Sequence, residues 1–239
     1  MARTIPFKRV LHGVWTRTGG DPASQNNLET NAAHAVTEYI NEAYKFAWQF
    51  YEWPEALTVE QRTFASQLVE WEQSGETAME TVLGVSQDDP RLKAYARPVT
   101  FKSGPAGIYV PSDFASSELW ITYRKPAPWF TATEYDGSTS YALGDTVYYA
   151  TSGECYECIQ AGSGNLPTDT DYWTKLDFLA ILEAAVKQGA RSEWLREEGQ
   201  ESTSTLAQEA MIELLESEIL RLETQQGDVR HVRHVAHAA

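Results

Sequence analysis

The hydrophobic period of this chain changes along its length, and that change limits the folds open to it more than any other feature. Leu28, Ala32, Ala35, Val36, Tyr39, Ile40, Ala43, Phe46, Ala47 and Phe50 recur at spacings of three and four. Such spacing gathers them on one face of a helix of about six turns. The Gly-Gly-Asp-Pro turn at 19–22 precedes it, Asn26 and Glu29 have the spacing of a capping box, and Trp53-Pro54 ends it. Between residues 55 and 128 the pattern turns to short β segments: Met79 to Val85, the stretch after Pro98, Gly107 to Val110, and Glu118 to Arg124. Asp-Asp-Pro and Ser-Gly-Pro-Ala-Gly turns break them, as expected for strands about five residues long. Helical spacing returns in two segments, Leu179 to Arg196 and Thr205 to Gln226. Leu182, Val186 and Trp194 mark the first; Met211, Leu215, Ile219 and Leu222 mark the second. Gly199 separates them, Thr205 and Gln208 make a second capping box, and Gly227 is a stop. The expected class is α+β, a helical scaffold with short β-strands, an inserted small β-sheet module and an extended C-terminal tail.

Four segments follow from these changes. Residues 1–128 form a core of N-terminal helix and short strands, closed by a Lys-Pro-Ala-Pro linker at 125–128. Residues 129–178 contain ten aromatics and alternating apolar positions, the composition of a compact β-module. Residues 179–226 return to helix, and 227–239 form the tail. The ring density from Tyr39 through Trp53 exceeds what one buried stripe can hold. Later strands of the same domain or a subunit contact must cover the rest.

A hydrophobic share of 42% with 22% charged residues is that of a globular protein. The formal net charge of −15 opposes a direct grip on nucleic acid and docking on anionic membranes. It also serves solubility alone. No segment has the length of a signal peptide's apolar run or the roughly 20 apolar residues of a membrane span, so the expected origin is cytosolic. Two cysteines are too few for a disulfide framework.

Those cysteines, Cys155 and Cys158, have the C-x-x-C spacing of zinc or redox sites, yet no second pair or nearby histidine completes a ligand set. In a strand, a separation of three sends them to opposite faces, which reads as structural. The segment Val229, Arg230, His231, Val232, Arg233, His234, Val235, with His237 after it, is chemically distinct from the acidic chain before it. Histidines at every third position could share a metal. The competing reading is a weakly basic tail seeking an acidic groove, made pH-sensitive by its histidines. The sequence contains no G-x-S-x-G, H-E-x-x-H, phosphate loop or dinucleotide fingerprint, and His12 and His34 have no identifiable nucleophile beside them. The expectation is a protein that is not an enzyme and uses no cofactor.

Tyr141, Gly144, Asp145, Val147, Tyr156, Pro167 and Trp173 follow the order and spacing of the small chitin-binding modules of chitinases, which this stretch resembles. Gly144-Asp145 suits the tight turn before a strand, and Trp173 can close the small core. The resemblance implies Tyr141, Tyr156 and Trp173 as rings that stack on sugars, with a host-surface glycan as ligand. The flanks are unlike a chitinase. The aromatic helix ending in Trp53-Pro54-Glu55, the Val82–Arg91 element, Tyr123–Pro128, two C-terminal helices and a loose tail resemble the head-to-tail adaptor proteins of tailed bacteriophages. That resemblance implies a virion protein of the neck, made in the host cytoplasm. Its partners would be the portal protein above, a downstream neck or tail protein below, and its own copies in a ring of usually about twelve. The 229–235 segment would dock on the portal. About twelve copies would together carry about −180, and carboxylates lining the channel would let DNA pass without tight binding.

Overall fold

The computed structural model describes residues 3–21, 30–64, 66–73, 77–93, 95–111 and 117–226. The fold is α+β: helices and several small antiparallel sheets, with contacts dividing the chain into two compact units. Residues 52–128 form one; residues 3–51 and 129–226 lie in the other. The break at 128 coincides with the Lys-Pro-Ala-Pro linker. The 129–178 segment clusters with the helices, however, and the segment that separates from them is 52–128.

In the unit of 52–128, strands β2 (Leu57–Thr63), β7 (Glu118–Arg124) and β4 (Thr81–Ser86) form one antiparallel sheet in the order β2-β7-β4, with a bulge in β4 between Val82 and Gly84. Strands β3 (Leu68–Glu70), β6 (Gly107–Tyr109) and β5 (Lys102–Gly104) form a second, ordered β3-β6-β5. The period-two pattern of β7 explains its placement: Leu119, Ile121 and Tyr123 enter a core with Val69, Met79, Val85, Ile108 and Val110. Gly107 is required by close approach, since a Cβ there would collide with the Val69 carbonyl. Arg62 is fully buried against the Tyr123 ring, 5.3 Å from its centroid. It donates to Glu60 and to the Tyr123 hydroxyl, each at 3.1 Å, and to the Thr77 carbonyl. Tyr123 in turn donates to Glu60 at 2.7 Å; burial, then the Glu60 carboxylate, pushes its hydroxyl up to about 12.

The other unit is built on helices α1 (Phe7–Arg17), α2 (Thr30–Phe50), α3 (Glu183–Glu197) and α4 (Glu201–Gln226). α2 realises the expected helix; the Asn26–Glu29 box lies outside the described residues. α1 was not expected. Its buried Phe7, Val10, Leu11 and Val14 nevertheless keep helical spacing. α3 ends in a Schellman turn: Gly199, at φ +73°, donates to Arg196, and Gln200 donates to Leu195. α4 starts at once after it, so Thr205 sits inside the helix and donates to the Glu201 carbonyl, and the capping box expected at Thr205 and Gln208 does not start it. Ser192 and Ser204 lock α3 to α4, each hydroxyl donating to the other's carbonyl at 2.9 Å. Gly189 marks where three helices meet: a Cβ there would crowd Ala43 of α2 and the Met211 thioether of α4.

Residues 129–179 complete this unit. Strands β8 (Ser140–Tyr141) and β11 (Gly162–Ser163) pair, and β9 (Thr146–Tyr149), β10 (Glu154–Cys158) and β12 (Trp173–Leu176) form a sheet ordered β12-β10-β9. Strand β1 (Thr4–Ile5) pairs with β13 (Phe178–Leu179). An aromatic cluster fastens this segment to the helices. Phe130 stacks on Phe7 at 5.0 Å and meets Tyr44 edge-on at 5.2 Å, while Tyr44 lies 4.5 Å from Phe178. The Asn41 side chain both donates to and accepts from the Phe130 backbone, each at 2.9 Å. The turn before β10 also closes the start of α1, where the Gly153 carbonyl accepts from Lys8 at 2.9 Å. Later residues of the same unit therefore cover Tyr44, whereas Phe46, its ring tilted against that of Phe50 at 5.7 Å, stays 41% exposed.

Candidate functional site

Three surfaces were expected to matter: the module's sugar-stacking rings, the C-terminal segment and the helical scaffold. In the module, Gly144 adopts φ +86° and Asp145 closes the turn, its carboxylate accepting from Ala142 at 2.7 Å. Cys158 then donates its backbone N–H to Asp145 at 2.8 Å, which fixes β10 beside the turn. Tyr156 and Cys158 face a small core with Val147 and Trp173. Cys155 points the other way, its thiol against the Thr131 carbonyl at 3.3 Å, and burial pushes that thiol up to about 12. The two sulfurs serve separate cores, so they form neither a disulfide nor a shared metal site.

The expected stacking set divides. Trp173 is 3% exposed and donates its indole N–H to the Asn165 carbonyl at 3.0 Å; Tyr156 is also buried. Stacking on a sugar requires an open ring face, so the role expected for Trp173 and Tyr156 does not match their positions. Tyr141 alone keeps a half-exposed ring, stacked on Tyr135 at 5.7 Å and edge-on to Trp173 at 5.1 Å. The half-exposed rings of Tyr149 and Tyr172 pack on the same core. The sequence pattern cannot say which side of a β-module is open, and so could not separate Tyr141 from the two buried rings.

Among the described residues, no group of three His, Cys, Asp or Glu is placed to hold a metal ion, and no helix is long and apolar enough to cross a membrane. His34 meets the Thr133 hydroxyl at 3.1 Å. Val229, Arg230, His231, Val232, Arg233, His234 and Val235 all lie outside the described residues.

The scaffold presents features that sequence reading did not single out. Where α2, α3 and α4 meet, a groove of about 410 Å³ has Ala43, Gly189 and Met211 in its lining, with Phe46, Glu42 and Glu193 beside them. Arg196 engages Glu193 there at 2.7 Å. Nearby, Tyr39 donates to Glu197 at 2.5 Å and its hydroxyl is pushed up to about 12, by burial first and then by that carboxylate. On α4, Ser204, Ala207, Met211 and Leu215 are buried, and no described side chain beyond Leu215 is. Leu206 and Leu220 are each 64% exposed. In the unit of 52–128, Leu92 and Tyr95 project on a loop pinned by Asp88 to Lys93 at 2.6 Å and to Arg97 at 2.9 Å, and by Asp89 to Arg91 at 2.8 Å. The Arg97 and Lys93 donors hold the Asp88 carboxyl well below the ordinary range.

No family model matches this chain, and comparison with curated proteins found no match.

Proposed function

We propose that this chain is a head-to-tail adaptor of a tailed bacteriophage, a structural virion protein. In this reading about twelve copies form a ring beneath the portal and link it to the next neck or tail protein, around the DNA channel. The observation that carries this reading is the end of α4. The helix has 26 residues against 15 in its antiparallel partner α3. At 1.5 Å per residue it therefore extends about 16 Å past that partner. This overhang exposes Leu220 and leads directly into the Val-Arg-His segment. A helix that outruns its own core, followed by a tail of opposite charge character, suits attachment to a neighbour better than chemistry within the chain. The acidic surface lets DNA slide past without tight binding.

The test is mass photometry of the purified protein with and without portal. A ring that forms with portal, and is lost when residues 228–239 are deleted, supports the reading; no association with portal refutes it. A second reading, binding of chitin or a cell-wall glycan by the 129–178 segment, is favoured by the half-open Tyr135–Tyr141 pair. It predicts retention on chitin that Tyr141→Ala abolishes while the fold survives. Retention unchanged by that substitution would remove the pair from the binding face.

A further inference from the structure

The groove at the junction of α2, α3 and α4 has a chemical complement in this same chain. Its lining is apolar at Ala43, Phe46 and Met211, and its charges are Glu42 and a Glu193 already paired with Arg196, which leaves one net negative charge. α4, which lends the groove Gln208 and Met211, carries six glutamates against one arginine over its whole length. Residues 227–239 have the opposite character: valines at every third position, two arginines and three histidines against Asp228 alone, in a chain of net charge −15. Oppositely charged surfaces with matching apolar positions attract and orient one another.

The lengths agree as well. Met211 lies about 22 Å along α4 from Gln226 at 1.5 Å per residue. A polyproline II chain has three residues per turn and covers about 3.1 Å per residue, so it sets the every-third valines on one face, and a segment turning back at Gly227 comes level with Met211 near His234. Glycine accepts the left-handed conformation that such a reversal after a helix uses. We propose that residues 228–239 fold back along α4 of their own chain and seat Val232 and Val235 in this groove, with Arg230 and Arg233 against Glu42 and the α4 carboxylates. The same segment is then held on the scaffold until a partner competes for it. The contact goes beyond the ring reading and needs no portal, so either can fail alone.

A nitroxide on Ala238→Cys tests it in the full-length chain; both native cysteines are buried and leave the label to the new site. The measurement is the loss of amide NMR intensity at Ala43, Gly189 and Ser192 in the labelled protein. The expected result is intensity at least halved in the intact chain. Arg230→Glu with Arg233→Glu should restore most of it, as should high salt, which shortens the screening length to about 3 Å at 1 M. Glu42 is exposed, so Glu42→Lys leaves the fold intact and should restore intensity in part. Unchanged intensity in the labelled chain would overturn the proposal. So would broadening seen only after labelled and isotope-enriched copies are mixed, which assigns the groove to a neighbour's tail, or broadening indifferent to the charge reversals.

Discussion

Removing the Trp173 side chain separates a structural ring from a sugar-binding one. The ring is 3% exposed, 5.1 Å from Tyr141 and 6.0 Å from Tyr135, and its N–H donates to Asn165 at 3.0 Å. Trp173→Ala therefore opens a cavity and deprives the Asn165 carbonyl of its donor, a loss of about 3–5 kcal/mol. For a unit of this size each kcal/mol moves Tm by about 2–4 °C, so the midpoint should fall by about 6–20 °C. Circular dichroism at 222 nm in a thermal ramp and in guanidinium reads both quantities without depending on tryptophan emission. Trp173→Phe keeps most of the apolar area but not the donor, and should cost about 1–2 kcal/mol. A loss below about 1 kcal/mol for the alanine variant, together with abolished retention on chitin, would refute the reasoning, because it would mean that the ring works at the surface rather than in the core.

Other substitutions probe the scaffold. Gly199→Ala places a Cβ at φ +73° in the turn between α3 and α4 and should cost about 1 kcal/mol, a shift of a few degrees in Tm. Glu60→Ala removes the carboxylate that accepts from buried Arg62 and from Tyr123, and should destabilise the unit of 52–128 by about 1–3 kcal/mol in urea unfolding. Cys155, its thiol raised from 9.0 to about 12, should resist thiol reagents at pH 8 until the protein unfolds. The sign of its linkage follows. The unfolded thiol ionises above about pH 9 while the folded one stays protonated, so this group weakens folding as pH rises from 9 towards 12, visible as a falling Tm across that window.

What could be read from sequence was what depends on neighbours in the chain. α2 was legible because nine of its apolar residues repeat at helical spacing, β7 because Leu119, Ile121 and Tyr123 alternate, and the Gly144-Asp145 turn because glycine alone favours its φ. α1 has the same spacing in only four residues. Gly13 and β-branched Val10 and Val14 weaken its helical propensity, so packing rather than propensity forms it. The cap placed at Thr205 failed for a related reason: Thr-x-x-Gln occurs inside helices as well as before them, and the Schellman turn at Gly199 had already fixed where α4 begins.

The aromatic residues show why unit boundaries and ring roles were beyond local reading. Composition marked 129–178 as a module, but Phe130 and Phe178 spend their rings on Phe7 and Tyr44, residues far away in sequence. A segment of about 50 residues has a marginal core of its own, and these contacts add to it. The same economy consumes Trp173 and Tyr156, the rings that the chitin-module pattern offers to a ligand, and leaves only Tyr141 at the edge. Among the described residues the most exposed apolar side chains are Leu92, Tyr95, Leu143, Leu206 and Leu220, of which Leu143 alone belongs to this segment. Two of these five are on α4, the helix that ends where the Val-Arg-His segment begins. Association through that helix and its tail would bury apolar surface that the chain's own core leaves open, whereas sugar stacking at Trp173 would require the core to come apart first.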